Sequence, residues 1–234
     1  MPSCKPFTII NCAQRSPEWM AARLGRLTGS KAADAFATTK TGAYTAYRKN
    51  LLVQLVLERL TGRSAEKPVT GPQVRDGIAR EPFARFHYEQ VTGQLVREVG
   101  FCADNEAPIG CSPDGVIGDF EGLVSIKCPL AATHLASLTA FRAIPATDLE
   151  TVVAKARLSV VPSDYLMQIR HELYVTGASW CDYVSYDASF PVGLQSVIVR
   201  VLREDVDLVA YARDVQAFLA EVDADVARVK GWAA

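Results

Sequence analysis

The chain has 234 residues, 49% of them apolar and 22% charged, with a formal net charge of −1. That length can bury a substantial core as a single domain over residues 1–234. No apolar run nears the roughly 20 residues of a membrane span, and Met1 to Pro6 lacks a signal-peptide core, so a cytosolic protein with no membrane association is expected.

The near-neutral charge neither requires nor excludes nucleic acid, because an enzyme that encloses DNA can gather its basic residues in a channel. Six cysteines, Cys4, Cys12, Cys102, Cys111, Cys128 and Cys181, are scattered without a C-x-x-C pair. They are expected to be reduced thiols, not zinc ligands or disulfides.

In chain order, residues 7–12 read as a short strand or an extended lead-in. Ser16 and Pro17 mark the N-cap and first position of a helix that stops near Gly25. A second helix is expected from Ser30. Thr28, Gly29 and Ser30 would offer hydroxyls and backbone N–H groups to an anion, with Arg23 supplying charge; an ordinary Ser cap beside a solvated Arg is the plainer alternative.

Residues 44–60 form a helix by the spacing of Tyr47, Leu51, Leu55 and Val56, closed by Gly62. A polar loop follows over 61–74. A further helix is expected over 74–91, with Ala79, Phe83, Phe86 and Gln90 on one face and a kink or restart at Pro82. Glu81 and Glu89 lie elsewhere on its surface, where a Glu is usually a solvated charge.

Residues 94–99 and 101–103 read as strand and lead into the most informative stretch. Gly110 to Ile117 places Asp114 at a Pro/Gly turn, and Leu123 to Cys128 carries Ser125 and Lys127 on one side of an alternating pattern. Two strands joined by a turn would set the Asp114 carboxylate beside the Lys127 ammonium. Such a pair suits metal-assisted attack on a phosphodiester.

Residues 131–138 are expected to be a short helix bearing a structural His134, while 147–161 fit either a strand or a loop. Pro162 to Asp164 opens a helix that Gly177 ends, with Leu166, Ile169 and Leu173 as its buried stripe and Tyr165, Gln168 and Glu172 on another face. Strands follow at 180–186 and 197–202, then a long amphipathic helix over 205–230. The fold class is α/β, with a central mixed β-sheet flanked by helices.

Five blocks carry a resemblance. They are Ser16-Pro17-Glu18-Trp19 through Arg23-Leu24-Gly25 to Thr28-Gly29-Ser30; Gly77 with Arg80-Glu81-Pro82; Cys111-Ser112-Pro113-Asp114-Gly115; Ile126-Lys127-Cys128-Pro129; and Tyr165-Leu166-Met167-Gln168 leading to Val175-Thr176-Gly177. Trp180 to Tyr183 with Tyr186-Asp187 is a weaker sixth. In this order and spacing the chain resembles the YqaJ-type viral recombinases, the lambda exonuclease group of the PD-(D/E)xK nuclease superfamily.

The resemblance implies a PD-(D/E)xK core and a processive 5′→3′ exonuclease on linear double-stranded DNA. Such an enzyme would use two Mg²⁺ ions (Mn²⁺ can substitute) and leave 3′ tails for a phage single-strand-annealing protein. It implies a homotrimeric ring acting on 5′-phosphorylated DNA ends in a bacterial host. Residue by residue, Glu81, Asp114 and the position of Ser125 match metal-binding acids, and the Ile126 carbonyl matches a further ligand. Lys127 matches the catalytic lysine and Gln168 a residue that closes the site around the scissile phosphate. Arg23, Thr28, Ser30 and Ser112 match a pocket for the 5′-phosphate.

The departure is Ser125, where the family carries Glu or, less often, Asp. A neutral hydroxyl on a short side chain is a poor Mg²⁺ ligand, so weakened or abolished turnover is expected, with several kcal/mol of transition-state stabilisation lost. The departure reads as an engineered replacement of a native Glu, with a naturally weakened variant as the alternative. Two other functions stand beside the exonuclease: a DNA-end-binding module without turnover, and a related endonuclease.

Overall fold

A computed structural model describes residues 6–66, 71–145 and 150–233. The first turns obey local chemistry. Ser16 caps α1 (Pro17–Arg23) by accepting a hydrogen bond from the Trp19 N–H at 3.2 Å. The chain then reverses at Gly25, whose φ of +68° a side chain would strain. A Cβ there would also stand 2.9 Å from Arg59 Cγ.

The α/β class with mixed strand pairing and flanking helices holds, and among the described residues the strands form two four-stranded mixed sheets where one was expected. The first runs β1 (Phe7–Ile10), β3 (Phe101–Asp104), β4 (Ile109–Cys111), β2 (Leu27–Thr28); the second runs β5 (Gly115–Ile117), β6 (Gly122–Lys127), β7 (Trp180–Tyr186), β8 (Ser196–Leu202). Pro113 and Asp114 part β4 from β5, and Pro113 can donate no ladder bond there. Residues 94–99 form no strand; Arg97 alone bridges to Val116.

The helices differ from expectation in instructive ways. After Thr28 comes a single 3₁₀ turn, Gly29–Lys31, and only a short α2 (Ala32–Ala35). In α3 (Ala46–Thr61), Leu51, Leu55 and Val56 are buried as expected, whereas Tyr47 is 70% exposed. Helix α4 (Pro72–Thr92) runs through Pro82 without a restart. Its buried residues include Ala84 and Tyr88, while Phe83 and Phe86 are 67% and 64% exposed. Packing against β6 and β7 thus selects a different face from the one the aromatic residues suggest.

Helix α5 (Ala131–Arg142) continues past residue 138, and residues 150–160 are helical as α6 (Glu150–Val160); the expectation for residues 147–149 lies outside the described residues. Helix α7 (Ser163–Thr176) and α8 (Leu208–Lys230) fall where expected. Among the described residues the cysteines are free thiols, and Cys4 lies outside them.

The site is positioned by β6, which is covered on both faces. Val124 and Ile126 pack with Ala84 and Tyr88 of α4. Leu123 points the other way, into the core that holds Ile169 and Leu173 of α7. Alternation then places Ser125 and Lys127 on the α7 side. Among the described residues no helix is long and apolar enough to cross a membrane.

Candidate active site

The hairpin expectation for Asp114 and Lys127 holds. Gly115 opens β5 beneath residue 96, where a Cβ would lie 2.1 Å from Val96 Cγ1, so only glycine fits directly after Asp114. The Asp114 Oδ2 accepts from the Ile126 N–H at 2.7 Å and from Lys127 Nζ at 3.3 Å. Lys127 also lies over the Tyr165 ring at 5.3 Å.

Glu81 reaches the same cleft from α4. Its Oε1 accepts from Arg85 Nη2 at 3.2 Å, and its Oε2 is 3.8 Å from Arg15 Nη2. Arg85 Nη2 also donates to the Asp114 carbonyl at 3.4 Å and pairs through Nη1 with Glu98. Glu81, Asp114, Ile126, Lys127 and Tyr165 together line a cleft of about 300 Å³.

Electrostatics tie these groups to one more. Burial and the Asp114 charge raise the Glu81 pKa, against Arg15, Arg85 and Lys127. Burial pulls the Lys127 ammonium toward neutrality, but the carboxylates of Asp114 and Glu172 outweigh it and raise its pKa. Glu172 is pushed up to about 8, by burial first and the Asp114 charge second, with Lys127 and the Gln168 hydrogen bond opposing.

Ser125 and Gln168 do not line that cleft, and Ser30 does not line the cavity beside Arg23. Ser125 is 0% exposed, and its Oγ has no hydrogen-bond partner. Gln168 donates from Nε2 to Glu172 Oε1 at 2.8 Å, one helical turn away. Ser30 is exposed on the 3₁₀ turn. Arg23 and buried Thr28 line a small cavity of about 10 Å³ with Lys31 and Glu66. Ser112 is linked to that corner, since its Oγ accepts from Trp19 Nε1 at 2.8 Å and Arg23 lies 4.0 Å over the Trp19 ring.

Arg23 is not the solvated charge of the plainer alternative. Burial lowers its pKa, which the Glu66 carboxylate opposes, and its Nε has no partner. His134 is structural as expected, held between Ser185 and the Leu194 carbonyl.

The donor set can be weighed against a divalent ion. Glu81 and Asp114 offer the hard oxygens that Mg²⁺ prefers. Among the described residues, no group of three or more His, Cys, Asp or Glu side chains is arranged to hold a metal ion as it stands. Yet Glu172, 1% exposed, keeps its Oε2 without a hydrogen-bond partner, so a third hard donor lies uncommitted nearby. The chemistry fits such an ion. Arg85, Arg15, Glu66 and Glu172 were not legible as site residues: nothing in their local sequence distinguishes them from solvated charges.

A Lys on β6, an Asp at the turn into β5 and a helix-borne Glu, on this α/β framework, define a nuclease-type site. The model for the YqaJ-like viral recombinase domain matches residues 18–179, and the chain belongs to that family. The crystal structure of the alkaline exonuclease LHK-Exo from Laribacter hongkongensis is similar over 93% of this chain and 98% of its own, at 35% identity and a TM-score of 0.75. The same figures hold for LHK-Exo in complex with dAMP. A phage-related exonuclease from Haemophilus somnus 129PT matches 87% of this chain and 96% of its own at 14% identity and a TM-score of 0.60, a likeness of fold alone. No curated protein matches. The chain therefore carries the mixed α/β exonuclease fold and belongs with the recombination nucleases.

Proposed function

We propose that this protein is a Mg²⁺-dependent exonuclease that degrades linear double-stranded DNA processively from 5′-phosphorylated ends. It would work as a homotrimeric ring in the bacterial cytoplasm, leaving 3′ single-stranded tails for a phage-type annealing protein. The observation that carries the reading is the cleft in which Glu81, Asp114 and Lys127 face one another. A divalent ion bound there would polarise the scissile phosphate and lower the pKa of water. Glu81 and Asp114 would hold it, with the Ile126 carbonyl as a neutral ligand. Lys127, kept protonated by its carboxylate neighbours, would orient the attacking water and neutralise charge developing on the phosphoryl oxygens. Hydrolysis adds the water oxygen to phosphorus and releases a 5′-mononucleotide as the P–O3′ bond breaks.

End selection falls to Arg23 and Lys31 beside Thr28, whose charge-assisted contacts a terminal phosphate can use and an internal one reaches poorly. Ser125 favours a second reading, an end-binding protein without turnover, because β6 contributes no acid and two carboxylates alone would hold two ions weakly. Time-resolved nucleotide release from linear duplexes, with and without 5′-phosphate and beside closed circles, tests both. Release in Mg²⁺ from phosphorylated linear DNA alone supports the exonuclease. Binding without release leaves the end-binding module, and cutting of circles indicates an endonuclease.

A further inference from the structure

Two buried polar atoms have no hydrogen-bond partner. Ser125 Oγ stands on the α7 side of β6, and Glu172 Oε2 stands on α7. Their apposition follows from register. Along β6, Leu123 shares a core with Ile169 and Leu173, and Lys127 lies over Tyr165. Two strand residues advance about 6.6 Å and one helical turn about 5.4 Å. Ser125, midway between Leu123 and Lys127, is thus brought against the middle of α7, where Gln168 and Glu172 are hydrogen-bonded to each other.

A buried carboxylate with an uncommitted oxygen is costly unless a charge partner completes it. Lys127 acts on Glu172 only electrostatically, since its hydrogen bond goes to Asp114 at 3.3 Å. A proton, which burial favours, is one way to satisfy Glu172, and a cation shared with Asp114 is the other.

We propose that Glu172, carried on α7, is the third carboxylate of the divalent-metal site, standing in from the helix for the acid that β6 lacks at Ser125. The inference rests on the exonuclease reading for its second and third ligands, Glu81 and Asp114. Ser125 contributes by being small, so that it competes little with a rotation of Glu172 that would bring Oε2 toward Asp114. That rotation is required, because the three acids do not yet form a cage. Gln168 is the positioning residue. Its amide holds Oε1 at 2.8 Å and leaves Oε2 for the ion, as outer-sphere hydrogen bonds commonly orient metal ligands. On this reading Ser125 and Glu172 are one exchange of an acid between strand and helix, and the chain is not silenced.

The test uses the full chain without DNA and reads Mn²⁺ affinity by EPR titration for wild type, Glu172→Gln, Glu172→Ser, Ser125→Glu, and the exchange Ser125→Glu with Glu172→Ser. The expected result is Mn²⁺ affinity lowered about tenfold or more in both Glu172 single variants, a loss at least that of removing an outer-sphere group. The exchange variant should recover most of it, because an acid on β6 then occupies the same ligand position. A purely structural Glu172 would let Ser125→Glu raise affinity by the same factor with Glu172 present or absent, whereas a Glu172 that already fills the position leaves Ser125→Glu alone little to gain. Unchanged affinity in Glu172→Gln overturns the inference, as does an exchange variant that folds but binds Mn²⁺ no better than Glu172→Ser. If the Glu172 single variants fail to fold, the exchange decides alone, and its failure to fold also counts against the inference. Nucleotide release by wild type in Mg²⁺ is scored separately. Mn²⁺ binding through Glu172 without release would remove the exonuclease reading and keep the site. Release that Glu172→Gln leaves intact would do the reverse.

Discussion

Arg23 and Glu66 form an ion pair, Nη2 to Oε2 at 3.5 Å, in the cavity whose resemblance implies a terminal-phosphate site. Lys31 contacts the other oxygen of the same carboxylate at 3.6 Å. Glu66 thus occupies, with its own anion, the two cations that a 5′-phosphate would need. Replacing it by neutral glutamine removes the competitor. Glu66→Gln is expected to tighten binding of 5′-phosphorylated duplex about fivefold, the equivalent of roughly 1 kcal/mol for a partly exposed pair. Binding to a 5′-hydroxyl duplex should be unchanged. Fluorescence anisotropy in Ca²⁺, comparing the two ends, measures it; an equal effect on both would remove Glu66 from the phosphate site.

Arg23 itself should control end discrimination. Its guanidinium is buried against the Trp19 ring, with Nε left unpaired. Charge-assisted bonds to such a group contribute about 1.5–3 kcal/mol. Arg23→Ala is therefore expected to slow digestion of 5′-phosphorylated ends by roughly 10- to 100-fold and to erase their advantage over 5′-hydroxyl ends. Initial rates on the two substrates check it. A uniform loss on both would make Arg23 a general DNA contact instead.

Local chemistry made part of this molecule readable in advance. The caps at Ser16, Gly62, Gly93 and Gly177 and the hairpin that joins Asp114 to Lys127 depend on residues close in sequence. Glu81 was recoverable only through resemblance, as it lies 33 positions before Asp114 and nothing in its local sequence marks it. Glu172 looked like a solvated helix charge because its burial depends on α7 packing against β4 and the turn at Gly29, both far away in sequence. The exposed Phe83 and Phe86 misled for the same reason: which face of α4 is covered is decided by β6 and β7, and helical periodicity alone offered the aromatic face instead. The division into two sheets likewise follows from the chain's path around Pro113, which strand propensity does not report.

Lys127 should separate chemistry from binding. It sits against Asp114 and is the ammonium nearest the proposed reaction centre. Lys127→Met is expected to lower single-turnover hydrolysis about 100-fold or more, the scale on which one electrostatic stabiliser acts. Duplex affinity in Ca²⁺ should stay within about threefold, since most DNA affinity comes from many phosphate contacts. The metal-free variant should also melt lower, because Asp114 and Glu172 lose their shared cation. A rate loss under about tenfold would place the water-orienting role elsewhere.

Stability of the metal-free protein should fall on the alkaline side. Burial and the Asp114 charge push the Glu172 pKa up to about 8 in the folded chain, from an ordinary value of 4.5. The folded state then binds a proton that the unfolded state has released across that window. The contribution is fully present below about 4.5 and is lost as pH rises through about 8. Glu81, also raised, acts in the same direction. Within the window the slope approaches about 1.4 kcal/mol per pH unit for one proton, and 1 kcal/mol moves the melting temperature of a chain this size by roughly 2–4 °C. In EDTA, wild type should therefore lose several degrees between pH 6 and 8, whereas Glu172→Gln, which cannot ionise, should be flatter. Saturating Mg²⁺ should raise wild-type stability most at the alkaline end, where Glu172 is easiest to ionise and an ion binding the folded state stabilises it. Scanning calorimetry across pH, with and without Mg²⁺, reads both effects. Parallel curves for wild type and Glu172→Gln would mean that Glu172 keeps an ordinary carboxylate pKa in the folded protein.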